Sequence, residues 1–159
     1  MIKKLEILFF RLLVLILILS NSSCSETNFD IVVVGGGTSG VASAIQSSRL
    51  GSKTLLIEES NWLGGMLTSA GVSAMDGNYK MPSGFLKEFR DSLVSYYGHL
   101  DSLKTGWVSN FMFEPSVGNR ILKNIANQEK NLTILFGTTV SEVVKNENFS
   151  IKINERPSV

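Results

Sequence analysis

Cysteine occurs once in the 159 residues, at Cys24, and histidine once, at His99. A single cysteine excludes an intrachain disulfide framework and any multi-cysteine metal site. A single histidine has no second one with which to form a histidine metal cluster. A dominant charge is also missing: 15 Lys and Arg against 14 Asp and Glu leave a net charge of +1. That balance gives no electrostatic footprint for nucleic acid. The length suits one ordinary domain, and less once the N-terminal segment is discounted.

What is present begins with Asn28 to Gly40, N-F-D-I-V-V-V-G-G-G-T-S-G. Ile31, Val32, Val33 and Val34 form a branched apolar run without polar interruption. Such a run predicts a strand buried on both faces of a parallel sheet. Gly35, Gly37 and Gly40 follow in the spacing G-x-G-x-x-G, and an Ala/Ser/Ile-rich segment runs on to Leu50. Each glycine has a task in a dinucleotide turn: the tight exit from the strand, the approach of a pyrophosphate, and close helix–strand packing. A helix starting near Thr38 or Ser39 offers unpaired N–H groups and the positive end of its dipole to phosphates.

The motif gains weight from its surroundings. Gly51 can end the helix, and Lys53–Ile57 reads as a second buried strand. Glu58 then stands about 20 residues beyond the turn, where a βαβ unit places the carboxylate that accepts ribose hydroxyls. Glu59 is its neighbour and the other carboxylate at that position.

The N-terminus has a targeting layout. Lys3 and Lys4 precede the apolar stretch Ile7–Leu19, interrupted only by Arg11, and Ser20, Asn21, Ser22 and Ser23 lead to Cys24. The apolar stretch is shorter than the about 20 residues that cross a bilayer as a helix. Residues 1–23 are therefore expected to be a signal peptide outside the fold, and 24–28 a tether. The small residues before Cys24 resemble the lipobox of bacterial lipoproteins, although Asn21 stands where an aliphatic residue is usual. Lipidation of Cys24, an ordinary cleaved signal and an uncleaved anchor all fit. The first implies export across the inner membrane and a periplasmic or outer-membrane lipoprotein.

After Glu58 the chain departs from an ordinary nicotinamide domain. Trp62-Leu63 leads to a second glycine pair, Gly64-Gly65, then Met66-Leu67-Thr68. Taken together, D-I-V-V-V-G-G-G-T-S-G-V-A-S-A-I, L-L-I-E and L-G-G-M-L-T resemble the FAD-dependent oxidoreductases of the glutathione-reductase-like superfamily. More narrowly, the resemblance is to heterodisulfide reductase A-like proteins and secreted bacterial flavoproteins. It implies FAD as cofactor, with Gly35, Gly37, Thr38, Ser39, Gly40, Glu58 and Glu59 at the adenosine end. It further implies Gly64, Gly65 and Thr68 near the pyrophosphate and ribityl chain. Val140 would meet the adenine edge through its backbone, although an alternating edge strand predicts the same residue. Relatives with iron–sulfur clusters hold them on cysteine clusters, which this chain lacks.

The remaining elements follow from pattern. Gly71–Ser83 reads as a loop with a turn at Asp76-Gly77-Asn78. A helix is expected from Pro82 or Ser83 to about Tyr97, with Phe85, Leu86, Phe89, Leu93, Tyr96 and Tyr97 on its apolar side. His99 beyond it reads as a surface residue. Gly106–Met112 reads as a short extended segment, and Ser116 to about Glu129 as a helix opened by Pro115. Leu132–Phe136 is the third strand, and a hairpin turns at Asn146-Glu147-Asn148 before Phe149–Ile153.

The fold class is α/β: a Rossmann-like FAD-binding domain over residues 29–159, with a parallel βαβ sheet in the order 3-2-1 and an appended β-hairpin. The resemblance covers only the cofactor part of such enzymes, so the domain is expected to be incomplete and to rely on further polypeptide, in the same chain or a partner. No carboxylate pair, nucleophile–base set or redox cysteine pair is left over for chemistry of its own. Alternatives are a nicotinamide-binding domain or a non-catalytic remnant that keeps the fold.

Overall fold

The computed structural model describes residues 27–155 apart from 76, 78, 79 and 108. The expected signal peptide, Cys24, most of the expected tether, and two of the three residues of the 76–78 turn lie outside the described residues.

Three parallel strands form the central sheet: β1 (Ile31–Val34), β2 (Thr54–Ile57) and β3 (Leu132–Leu135), side by side in that order. This is the 3-2-1 order that the sequence predicts. Helix α1 (Thr38–Arg49) makes the crossover from β1 to β2. It buries Val41, Ala44, Ile45 and Ser48, the i, i+3, i+4, i+7 positions of one helical face. Gly51, with φ +95°, takes the left-handed conformation just beyond it.

Two further helices lie between β2 and β3. Helix α2 (Gly84–Tyr97) buries Phe89 and Leu93 and ends at Gly98, whose φ is +84°. Helix α3 (Pro115–Asn127) begins on proline, whose missing N–H costs nothing at a helix start, and buries Val117, Ile121, Leu122 and Ile125. These faces meet α1, Leu56, Leu63, Phe111 and Phe113 in one core. Phe113 stands edge-on to both Phe89 and Phe111. Arg49, at the end of α1, clamps the layer: both terminal guanidinium nitrogens reach Glu88 of α2 at 2.7 Å, and Nε reaches Glu129 beyond α3 at 2.7 Å.

Three expectations are corrected. The first concerns β1, expected to be buried on both faces. All of β2 is buried, but Ile31 is 36% and Val34 60% exposed. Among the described residues β1 pairs on one side only, at an edge of the sheet, and a branched apolar run cannot by itself supply the neighbour that would cover it. The second concerns Tyr96, which is exposed rather than in the apolar face of α2; Arg120 lies 4.8 Å over its ring and Tyr97 packs edge-on against it. The third concerns Gly106–Met112. Its described residues form no strand, only a single bridge from Met112 to Ala74, and Trp107 is fully exposed.

The hairpin is β4 (Thr138–Lys145) and β5 (Phe149–Glu155). A register shift between Val140 and Glu142 accommodates one extra residue. Because cross-strand partners share a face, the pairs Val140–Ile153, Val143–Ile151 and Lys145–Phe149 line one side.

Candidate functional site

The glycine turn lies at the C-terminal end of β1, where ligands bind in open α/β sheets. Gly35 donates its N–H to the carbonyl of Ile57 at 2.8 Å and has φ +96°, a conformation that side chains resist. Gly37 caps α1 with extended backbone, φ −62° and ψ 173°. The first bond of the helix is Val41 N–H to the Gly37 carbonyl, 2.9 Å. The N–H groups of Thr38, Ser39 and Gly40 precede that bond, at the positive end of the dipole. A Cβ on Gly37 would meet nothing within 4 Å, whereas one on Gly40 would stand 2.0 Å from the Gly35 carbonyl oxygen. Gly37 keeps space open; Gly40 lets the helix touch the turn.

The second glycine loop is fastened to the first. Gly64 donates its N–H to the Gly36 carbonyl at 2.7 Å, and the Thr38 hydroxyl donates to the Gly64 carbonyl at 2.9 Å. Gly37 and Gly64 form a parallel bridge. A Cβ on Gly65 would stand 3.1 Å from the Gly37 Cα, so at this point the two loops touch backbone to backbone. Gly64 has φ +108°, and a Cβ there would strike Leu122 and Thr68 at 2.7 Å. Thr68 is buried, and its hydroxyl donates to the Leu63 carbonyl at 2.6 Å. It shapes the loop from inside. Asn119 of α3 accepts the Leu63 N–H at 2.9 Å and holds the loop from the other side.

Glu58 follows β2 directly and is buried. Its Oε2 accepts the Gly36 N–H at 2.6 Å. Its Oε1 accepts the Ser60 N–H at 2.8 Å and the Ser60 hydroxyl at 2.6 Å. Glu59 is on the exposed side of the chain. Thr138, the first residue of β4, donates its N–H to the Glu58 carbonyl at 3.1 Å. The half-buried Val140 therefore sits two residues from an atom tied to Glu58.

Compared with known proteins, residues 30–157 match the family model described as FAD dependent oxidoreductase. The chain belongs to the FAD-dependent oxidoreductase family, and FAD is its cofactor. Among curated proteins, an NADH:fumarate oxidoreductase of Klebsiella pneumoniae is 29% identical over 86% of this chain and 14% of its own length. A mitochondrial dihydrolipoyl dehydrogenase of Arabidopsis thaliana is 46% identical over 31% of this chain and 10% of its own. The chain thus spans a small part of these relatives. Among solved structures, AlpK superposes with a TM-score of 0.55 at 13% identity, covering 82% of this chain and 28% of that one. The aromatic hydroxylase CabE gives 0.54 at 16%, covering 81% and 28%. At these identities the likeness shows the fold alone, a mixed α/β domain.

The residues fit the cofactor of that family. The space over Gly37 and the adjoining N–H groups suit a pyrophosphate, and the Glu58 carboxylate suits hydroxyl donors. Bound FAD supplies the redox chemistry, and the protein's part is to hold and orient it. Among the described residues no group of three or more His, Cys, Asp or Glu could hold a metal ion. His99 is exposed and accepts the Asp101 N–H at 3.1 Å, capping a short 3-10 turn.

Sequence reasoning missed Gly36, Ser60 and Asn119. The run of three glycines signalled Gly36, since its N–H and missing side chain both serve Glu58. Asn119 carried no signal, because its partner is fixed by the packing of helix on loop; Ser60 bonds Glu58 and Trp62, two residues to either side, a local serine turn that its place after β2 could have signalled.

Proposed function

We propose that this chain holds the adenosine diphosphate half of FAD as the N-terminal part of a larger, exported, lipid-anchored flavin oxidoreductase. The observation that carries the cofactor reading is the interlock of the two glycine loops through Gly36, Gly37, Thr38 and Gly64. One turn alone serves many dinucleotides, but the second loop adds a backbone-only wall beside the open space over Gly37. In this reading the diphosphate lies against the N–H groups of Thr38, Ser39 and Gly40. Glu58 accepts ribose hydroxyls, the backbone near Val140 faces adenine, and Gly64 and Gly65 border the ribityl chain. Glu59 lies at the rim.

Further polypeptide closes the isoalloxazine side. What supports this is that the chain spans 14% of the curated fumarate oxidoreductase. Anchoring rests on the lysine, apolar stretch and small residues before Cys24. Titration of the full chain with ADP and with FMN tests the reading: ADP tighter by tenfold or more is expected, and equal affinity or a preference for FMN would overturn it. Radiolabelled palmitate incorporation in a bacterial host tests the anchor, expected for the natural chain and lost in Cys24→Ala. Equal labelling in both would overturn the anchor and leave the cofactor reading intact.

A further inference from the structure

The Glu58 carboxylate is already nearly full. A carboxylate offers about four lone-pair sites. Gly36 N–H takes one on Oε2, and the Ser60 N–H and hydroxyl take two on Oε1. One site remains, on Oε2. A ribose diol brings two O–H donors.

Ser60 has the means to release a site. Its oxygen is held in place by the Trp62 N–H, donated at 3.1 Å, and lies 3.2 Å from the Trp62 carbonyl. Rotation about one bond carries the hydroxyl hydrogen from Glu58 Oε1 to that carbonyl while the oxygen stays where it is. The backbone donors of Gly36 and Ser60 have no such alternative.

We propose that Ser60 is a specificity-determining residue of the nucleotide site: its hydroxyl occupies the Glu58 lone pair that the second ribose hydroxyl takes, and turns to the Trp62 carbonyl when the diol arrives. The inference rests on the reading of Glu58 as the ribose acceptor. Its consequence is an energetic one. In the natural chain the second hydroxyl gains only the difference between its own bond and the one that Ser60 gives up. Without the serine hydroxyl it enters an empty site, so the diol is worth more.

The experiment compares ADP with 2′-deoxy-ADP by isothermal titration of the full natural chain and its Ser60→Ala, Ser60→Thr and Glu58→Ala variants, each checked for unchanged circular dichroism. The deoxy ligand has one hydroxyl and needs only the free site. Preference for ADP is expected to rise about three- to tenfold in Ser60→Ala, the value of one hydrogen bond. It should stay at the natural level in Ser60→Thr, which restores the hydroxyl, and fall towards one in Glu58→Ala. An unchanged or reduced preference in Ser60→Ala, with the preference lost in Glu58→Ala, overturns the role of Ser60 and leaves the ribose acceptor standing. A preference that survives Glu58→Ala, or no measurable ADP binding by the natural chain, overturns the acceptor and this inference with it.

Discussion

Gly36 donates its backbone N–H to Glu58 Oε2 at 2.6 Å, and a Cβ on Gly36 would stand only 2.9 Å from that same oxygen. The end of β2 is thereby bonded to the turn after β1, and the bond exists because the turn has no side chain there. The carboxylate proposed to accept the ribose hydroxyls is thus also a structural one.

Replacing Glu58 should therefore cost twice. Glu58→Ala leaves the buried Gly36 N–H without its acceptor, a loss of about 1–3 kcal/mol in folding stability. ADP binding should weaken by roughly 1.5–3 kcal/mol, the range for hydrogen bonds to a charged group. Glu58→Gln keeps an acceptor for Gly36 but sets its amide NH2 against the Ser60 N–H, so it should regain part of the stability without regaining the affinity. Urea denaturation beside titration separates the two, and parallel recovery of both in Glu58→Gln would contradict the dual role.

The glycines of the turn should divide by phenotype. Gly37 has an ordinary φ and open space above it, so Gly37→Val should fold and cost about 1 kcal/mol, the loss from a poorer N-cap. It should nonetheless lose ADP and FAD binding, because the branched side chain fills the space meant for the diphosphate. Gly40→Ala meets the Gly35 carbonyl oxygen at 2.0 Å and should cost about 3 kcal/mol, at the upper end of overpacking effects. Retained FAD affinity in a folded Gly37→Val protein would sink the placement of the diphosphate.

The Arg49 clamp predicts a pH dependence. The guanidinium hydrogen bond from Arg49 holds the Glu88 carboxyl below its ordinary value of 4.5. A carboxyl whose folded pKa is depressed adds stability above its unfolded pKa and loses it as the pH falls through the folded one. The contribution should thus be complete at neutral pH and fade below about pH 4.5. Both partners are about one-third exposed, so solvent screening limits the pair to about 1 kcal/mol. Melting temperatures from pH 7 to 3 should fall less steeply in Glu88→Gln than in the natural chain. Identical slopes would show that the clamp does not contribute.

The chain on its own should bind FAD little better than ADP. In the proposed reading the turn, Glu58 and Val140 face the adenosine diphosphate half, whereas the isoalloxazine half is assigned to further polypeptide. The apolar side of the hairpin, with Phe149 67% exposed, should promote association in concentrated solution. Titration with the two ligands is the check: affinities within about threefold are expected, since a difference well below one tenfold step of 1.4 kcal/mol means no added contact. FAD binding a hundredfold tighter would show that these residues already hold the flavin ring.

Local order was legible because it is written in neighbouring residues. The strand Thr54–Ile57, the amphipathic α1 and α3, the proline start of α3 and the hairpin turn follow from periodicity and backbone chemistry over a few positions. So did the turn itself, since Gly35 and Gly40 answer to a backbone angle and to a contact only five residues away. The family was legible for the same reason: its pattern is a run of such local requirements.

Tertiary structure alone decided the rest, because it turns on which distant surfaces meet. Burial of β1 depends on a strand beside it, so the same apolar run that reads as a sheet interior stands partly exposed at the edge. Tyr96 shares the spacing of the core face of α2, yet lies outside it, against Arg120 of another helix. Asn119 acts through a partner 56 residues away, brought to it by the packing of α3 on the loop. Residue type and spacing determined that a dinucleotide turn, a carboxylate and a second glycine loop would form. Only packing determined that the loops touch through Gly37 and Gly64, and that the carboxylate bonded to Ser60 is bonded to the turn as well, through Gly36.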